Sequence, residues 1–469
     1  MCPWLLPLAV RFGQTCEVTR RPGAHRELDR RIVALAVPAL GSIAAEPLYT
    51  LVDTAIVGHL GRQQLDALAI ATSVLAIVGW LTIFLATATT SAVARLVAAG
   101  DAEAAGRAVG AAYLLAAVLG LITAICVVVA APWVALALGA RAGVLAGAVG
   151  YLRAAAAGLP FLYLSYAGNG HLIGLADTKT PLRIAVAANA ANAGLEAALV
   201  FGAHAGLLGS AWGTVIAQAG AAAWYAAESW RQPRAAPRRP GGEQMRALLR
   251  DGHQLSVRTV ALGVVPLAAT AVTARLGPVQ LGGQQIANRI WYMLSLSLDS
   301  IAVPAQVFVS ASLGAGEQET ARLIGRRTLR LGLAAGVALG VLTAALALGA
   351  PDLFTGDPAV RHAAVVGLLC SALTLPLAAL AFVLDGLILG IADYAAMRRA
   401  MLLAVVAFAP VAALTLRYHW LGLPGVWAAL GLWLAARSAL LGNRWREAAR
   451  SFGIRKTTVP NERVLPPKH

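Results

Sequence analysis

Apolar stretches long enough to cross a bilayer recur along almost the whole chain, separated by short connections rich in arginine. A membrane-crossing helix needs about 20 consecutive apolar residues, because lipid offers its backbone N–H and C=O groups no partner outside the helix. Twelve such stretches can be read: first 32–58, 64–97, 106–130, 144–174, 181–202 and 206–229, then 246–275, 279–313, 320–349, 360–391, 396–417 and 421–442. The expected fold class is therefore all-α and integral to the membrane. Charged residues make up only 13% of the 469, against about a quarter in a soluble domain, so a water-phase protein is excluded.

The net charge of +16 would point to nucleic acid only if the basic residues clustered with groove-reading or aromatic elements. They occupy the connections instead, where positive charge fixes orientation in a membrane. Arg20, Arg21, Arg26, Arg30, Arg231, Arg234, Arg238, Arg239, Arg322, Arg326, Arg327, Arg398, Arg399, Arg444, Arg446 and Arg450 all fall on one side. Arg62, Arg141, Arg275, Arg361 and Arg417 fall on the other. The crowded side, which holds both termini, is expected to be cytoplasmic, and nucleic acid is not an expected partner. Cys2, Cys16, Cys126 and Cys370 show no metal-ligand spacing, so no metal centre is expected. The apolar run 4–10 is short and has no basic residue before it, which reads as a disordered leader over 1–30 and not as a cleaved signal.

The chain repeats itself at an offset of 216 residues: Leu60-Gly61 falls on Leu276-Gly277, Gly100 on Gly316, Glu103 on Glu319, Pro160 on Pro376, Gly170 on Gly386 and Asp177 on Asp393. The register holds without a gap, so an internal duplication is the reading. The Pro-, Gly- and Arg-rich segment 230–245 separates the copies. The expected division is a first lobe over 31–229, a linker over 230–245, a second lobe over 246–446 and a cytoplasmic tail over 447–469. Six helices per copy bring both copies into the membrane in the same orientation, related by an axis along its normal, with substrate between them.

The segments LVDTAIVGHLG (51–61), NGHLIGLADTKTPL (169–182) and LDGLILGIAD (384–393) resemble the multidrug and toxic compound extrusion family, MATE, and above all its DinF-like branch. The resemblance covers about 28–450. It implies a V-shaped bundle of two pseudo-symmetric six-helix lobes that exports small organic, often cationic, compounds in exchange for protons or sodium ions. Such a protein is a multi-pass transporter of the plasma membrane, needs no cofactor and is expected to work as a monomer. The resemblance further implies a cation-coupling site in the first lobe. The first-helix aspartate matches Asp53, the proline where that helix bends matches Pro38, the fifth-helix N-x-x-x-D pair matches Asn192 and Glu196, and the sixth-helix threonine matches Thr214. Glu196 departs from the usual aspartate, and its longer arm changes the geometry of a sodium site more than that of a proton site.

The polar residues lead to the same cluster without the resemblance. An ionisable group at bilayer depth costs about 3 kcal/mol or more, so each needs a partner and usually has a purpose. Asn192 and Glu196 are four apart and share a helix face, with Asn189 one turn earlier; Thr214 and Gln218 pair in the same way on the next helix. Moved by 216, Asp53 lands on Ala269, Asn192 on Phe408, Glu196 on Ala412 and Thr214 on Leu430. The second copy keeps the scaffold and discards the polar set. A carboxyl in low dielectric favours its neutral form and can load and release a proton, and two carboxyls with amide and hydroxyl oxygens also form a hard-cation ligand set, so both ions stay open. Pro38 removes a backbone hydrogen bond and is the expected hinge.

Asn169 and Asp385 are repeat equivalents expected to face the central cavity with Asp299, Asn189 and Gln218 along the substrate pathway. The sequence contains no Walker lysine motif, no HExxH and no GxSxG, so neither ATP hydrolysis nor the commonest hydrolase chemistries are expected. The rival readings are a lipid-linked-precursor flippase of the same superfamily, which calls for a more cationic cavity, an intramembrane enzyme, and a pore.

Overall fold

The computed structural model describes residues 24–452; residues 1–23 and 453–469, with most of the expected leader and the end of the tail, lie outside the described residues. The first half contains α1 (Ala24–Gly58), α2 (Arg62–Thr82), α3 (Phe84–Ala98), α4 (Ala102–Ala137), α5 (Ala142–Ala156), α6 (Leu159–Gly174), α7 (Lys179–Ala197) and α8 (Gly206–Trp230). The second contains α9 (Gly242–Leu276), α10 (Pro278–Gly314), α11 (Gln318–Leu346), α12 (Pro358–Ile391), α13 (Tyr394–Arg417) and α14 (Gly422–Ser451). The α2 and α3 segments continue each other as one span across Ile83, and α5 and α6 are the arms of another, bent by 47°. Each half therefore supplies six helical segments of membrane-spanning length among the described residues; ten of the twelve, all but α1 and α8, are also apolar enough to cross a bilayer by composition alone, and the expected all-helical architecture is observed.

The duplication extends to backbone conformation. Helices begin 216 residues apart at Arg62 and Pro278, at Ala102 and Gln318, and at Gly206 and Gly422. Gly61 and Gly277 both take left-handed φ values, 103° and 117°, and so do Gly100 and Gly316, at 80° and 76°. Ala176 and Ala392 share φ of 59° and 55° although each carries a Cβ, so the turn after α6 and α12 imposes its geometry on a residue type that resists it. Asp177 accepts from the N–H groups of Lys179 and Thr180, and Asp393 from that of Ala396. They are loop and cap residues.

Two boundaries differ from expectation. Helix α1 already includes Ala24 to Asp29 of the expected leader, where Leu28 is buried in the core and Asp29 pairs with Arg327 of α11 at 3.6 Å. The α8–α9 connection is packed: Ala235 is fully buried beside Ala105, Val109 and Leu175, and the Arg238 N–H donates to the Gly106 carbonyl at 2.9 Å.

The lobes meet only over part of their depth. On the side that holds the described chain ends, one apolar core runs across both lobes, joining Leu28, Ile32 and Leu35 to Val307, Phe308 and Leu387. Polar bonds tie the same level: Ser91 Oγ donates to the Leu389 carbonyl at 2.9 Å, Gln306 Nε2 to the Thr87 carbonyl at 2.8 Å, and Arg95 to the Gly390 carbonyl at 3.2 Å. Contact continues as far as Trp80, which faces Gly263. Toward the far side the second lobe closes a separate core of its own, including Val265, Ala269, Leu298 and Trp427. The lobes are thus latched at the side of the termini and parted at the other.

Candidate coupling site in the first lobe

Near the far end of α1, Asp53 is 4% exposed, and Glu196, at the end of α7, is fully buried. The Glu196 carboxyl meets that of Asp53. Two carboxylates cannot bond each other, and among the described residues Glu196 Oε1 has no other hydrogen-bond partner; a shared proton or a bound cation would complete the pair. Around them, Ser210 Oγ donates to Asp53 Oδ1 at 2.9 Å, the Tyr49 hydroxyl to Glu196 Oε2 at 3.4 Å, and the Tyr49 and Thr214 hydroxyls bond at 3.3 Å. Asn192 joins through Thr214 at 3.4 Å, and the Tyr151 hydroxyl reaches Ser210 and Thr214. The four residues singled out in the sequence as a coupling set are brought together.

Local structure explains the convergence. Directly after Glu196 the chain widens into a π-helical turn, Ala198–Gly202, a distortion found mostly at functional sites. Gly209 and Gly213 of α8 face this stretch, and a Cβ on Gly213 would sit 3.0 Å from the Glu196 backbone nitrogen. Only a residue without a side chain lets α8 bring Ser210 and Thr214 so near the acids.

Sequence reasoning missed Tyr49, Tyr151 and Ser210. The repeat held the signal: their equivalents are Val265, Gly367 and Val426. In the second lobe Val265, Ala269, Phe408, Ala412, Val426 and Leu430, the equivalents of Tyr49, Asp53, Asn192, Glu196, Ser210 and Thr214, all belong to one buried apolar core.

The expected pathway residues separate. Asp385 does not face the cavity: it is 3% exposed and clamped between Arg258 Nη2, at 2.6 Å, and Arg437, which also donates through Nε at 3.3 Å. A carboxylate this deep requires such partners, and Arg437, itself buried and flanked by Phe382 and Trp433, was not anticipated. Asp299 is exposed and lies in electrostatic reach of Arg258, Asp385 and Arg437. It stands seven residues before the latch residue Gln306 on α10, hence on the helix face turned to the other lobe. Asn169 is half-buried with its side-chain oxygen unpaired. Asn189 is an anchor, donating to the Ala45 carbonyl of α1 at 3.0 Å, and Gln218 packs on Gly158 at the bend between α5 and α6. Helix α1 runs unbroken through Pro38 and Pro47, and Thr178 Oγ1 donates to the Leu35 carbonyl, one turn before Pro38, at 3.0 Å.

Two matched helical bundles, parted on one side and carrying a buried acid cluster, define a multi-pass secondary transporter. The MatE family model matches residues 38–198 and 257–414, and the chain belongs to that family. It is 33% identical to Protein DETOXIFICATION 44, chloroplastic, of Arabidopsis thaliana, over 92% of this chain and 84% of that protein. It is 25% identical to DNA damage-inducible protein F of Escherichia coli (strain K12), over 89% of this chain and 92% of that one. Its fold is that of a Vibrio cholerae MATE transporter in the bent form, with a TM-score of 0.85 at 18% identity over 92% of this chain and 99% of that one. Members of the family are transporters, not enzymes, and need no cofactor.

Proposed function

We propose that the protein is an antiporter of the plasma membrane that expels small organic compounds, cationic or amphipathic, in exchange for protons taken up at Asp53 and Glu196. The side of the termini is the cytoplasm, a reading the arginine distribution supports, and the parted side opens outward. The observation that carries the reading is the pairing of two buried acids without a cationic partner in one lobe, where the equivalent positions of the duplicated lobe are all apolar.

Like charges this close and this dry do not both persist, and one proton held between them relieves the repulsion. The hydroxyls of Ser210 and Tyr49 donate into the pair, which satisfies a carboxylate but gives a sodium ion fewer free lone pairs, so the proton is favoured over sodium. A proton entering from outside gains about 2.3 kcal/mol per 100 mV of membrane potential when it crosses the whole field. Neutralising the cluster removes the reason for α1, α7 and α8 to hold their present spacing. Pro38, which lacks the N–H of a normal helical residue, is where α1 bends in response, driving the cavity of the lobe to narrow and substrate to leave. A flippase of lipid diphosphates needs cationic groups free to face the cleft, whereas Arg258 and Arg437 are committed to Asp385.

The test is efflux of a fluorescent organic cation from proteoliposomes under separately imposed pH and sodium gradients. Wild type should respond to the pH gradient, while Asp53→Asn and Glu196→Gln should lose about a hundredfold or more in rate. Undiminished transport by Asp53→Asn rules the coupling site out, and a response to sodium alone rules the proton out.

A further inference from the structure

A polar stripe runs the length of α8. Ser210, Thr214, Gln218, Tyr225 and Ser229 follow at spacings that keep them on one helix face. Their repeat equivalents are Val426, Leu430, Leu434, Leu441 and Trp445, every one of them apolar and buried in the second lobe. Five polar-for-apolar exchanges along one face, within a scaffold duplicated down to its turns, are not a packing requirement of the fold.

At its far end the stripe is the coupling site itself. At the other end it meets His171, in the last turn of α6, which is fully buried. The ring Nδ1 bonds Ser229 Oγ at 2.9 Å, and Ser229 in turn bonds the Tyr113 hydroxyl of α4 at 2.9 Å. The ring Nε2 is buried with no hydrogen-bond partner among the described residues. Burial of an imidazole nitrogen unpaired is costly, and the second lobe avoids the whole arrangement by placing Leu387, Trp445 and Leu329 at the three positions. The titratable group nearest His171 is Tyr113 of α4, reached through Ser229, with Tyr225 of α8 in electrostatic reach of Tyr113; among the described residues no charged side chain acts on the ring.

We propose that His171, Ser229 and Tyr113 form the inner station of a proton path through the first lobe, by which the proton taken up at Asp53 and Glu196 is delivered to the side of the termini. The inference rests on the proton-coupled reading above. An imidazole is suited to the task because it accepts a proton at one nitrogen and gives up another from the second, so one proton moves on and the ring is restored by tautomer exchange. The path is interrupted here: between Gln218 and Tyr225 the stripe carries Ala221 and Ala222. The interruption is functional, since a continuous wire would leak protons without moving substrate. Gln218 packs at the 47° bend between α5 and α6, so a change in that bend moves the residue that must bridge it.

The test compares wild type, His171→Asn and Asp53→Asn in proteoliposomes, following proton movement with an enclosed pH dye and binding of the fluorescent cation separately. Asparagine preserves a hydrogen bond to Ser229 at the Nδ1 position but cannot relay a proton. His171→Asn should bind the cation with unchanged Kd while coupled proton movement slows about a hundredfold. If His171→Asn moves protons at the wild-type rate while Asp53→Asn is inactive, the relay is wrong and the coupling site stands. If both behave as wild type, the coupling site itself is wrong. A His171→Asn protein that loses cation binding and thermal stability together assigns the residue to packing alone and overturns the proposal.

Discussion

Gly213→Ala adds a single methyl group, changes no polar side chain of the coupling site, and tests whether the spacing of α7 and α8 is what makes the site work. The new Cβ would lie 3.0 Å from the Glu196 backbone nitrogen and 3.2 Å from its Cα. Both contacts are to backbone, so no side-chain rotation relieves them, and the helices must part by a few tenths of an ångström against close-packed neighbours, at a cost of about 1–3 kcal/mol. That movement carries Glu196 away from Asp53 and weakens the Tyr49 bond, already 3.4 Å long. Since a misplacement of about 1 Å costs about a hundredfold in a positioned reaction, pH-driven efflux should fall about tenfold, with a modest loss of thermal stability. Gly194→Ala, on the same α7 helix, is the control: a Cβ there meets nothing within 4 Å, and efflux should be unchanged. The second lobe carries Ala429 at the position equivalent to Gly213, fully buried and with no acid to place, so the fold itself accommodates a methyl there. Full efflux by Gly213→Ala would refute the link between helix spacing and coupling.

Two further outcomes are expected. Arg437→Ala strips Asp385 of its more buried partner and should lower stability by about 3–5 kcal/mol, seen as a drop in melting temperature in detergent that Asp385→Asn partly restores. An unchanged melting temperature would mean the triad is not structural. Replacing both Ser91 and Gln306 by alanine removes inter-lobe bonds worth about 1 kcal/mol each. A cysteine placed at Ser310, buried beneath the latch, in a background freed of the native cysteines, should then react about tenfold faster with a permeant maleimide; an unaltered rate means the apolar core alone holds the lobes together.

The architecture was readable because membrane helices announce themselves: length, apolar content and the 216-residue register each leave a trace that tertiary contacts do not erase. The acid cluster was readable for a related reason, since carboxyls such as Asp53 and Glu196 are too costly in lipid to lack a role. Tyr49, Tyr151 and Ser210 escaped because a lone tyrosine or serine in a membrane helix is inexpensive, and only its neighbours across helices reveal what it holds. From sequence Asp385 reads as a cavity residue because it and its repeat equivalent Asn169 each precede a glycine, a pattern that carries no sign of a counter-ion. Its actual partners lie 127 and 52 residues away, and Arg437 sits opposite Ala221 in the repeat, so no local pattern pairs it. The contacts that α1 makes beside its prolines were equally hidden: Thr178, at the N-cap of α7, and Asn189, within α7, donate to the Leu35 and Ala45 carbonyls from far along the chain.

The segment joining the halves also has a mechanical meaning. Because Ala235 is embedded and Arg238 is bonded to the first lobe, this stretch travels as freight with that lobe and gives no slack. Any rocking of one bundle against the other must be absorbed between Arg238 and the start of α9 at Gly242. Within that interval lie Pro240, which stiffens one point, and Gly241, which frees the next. The covalent pivot of the machine is therefore a few residues long and sits at the edge of the first bundle, not midway along a loose strap.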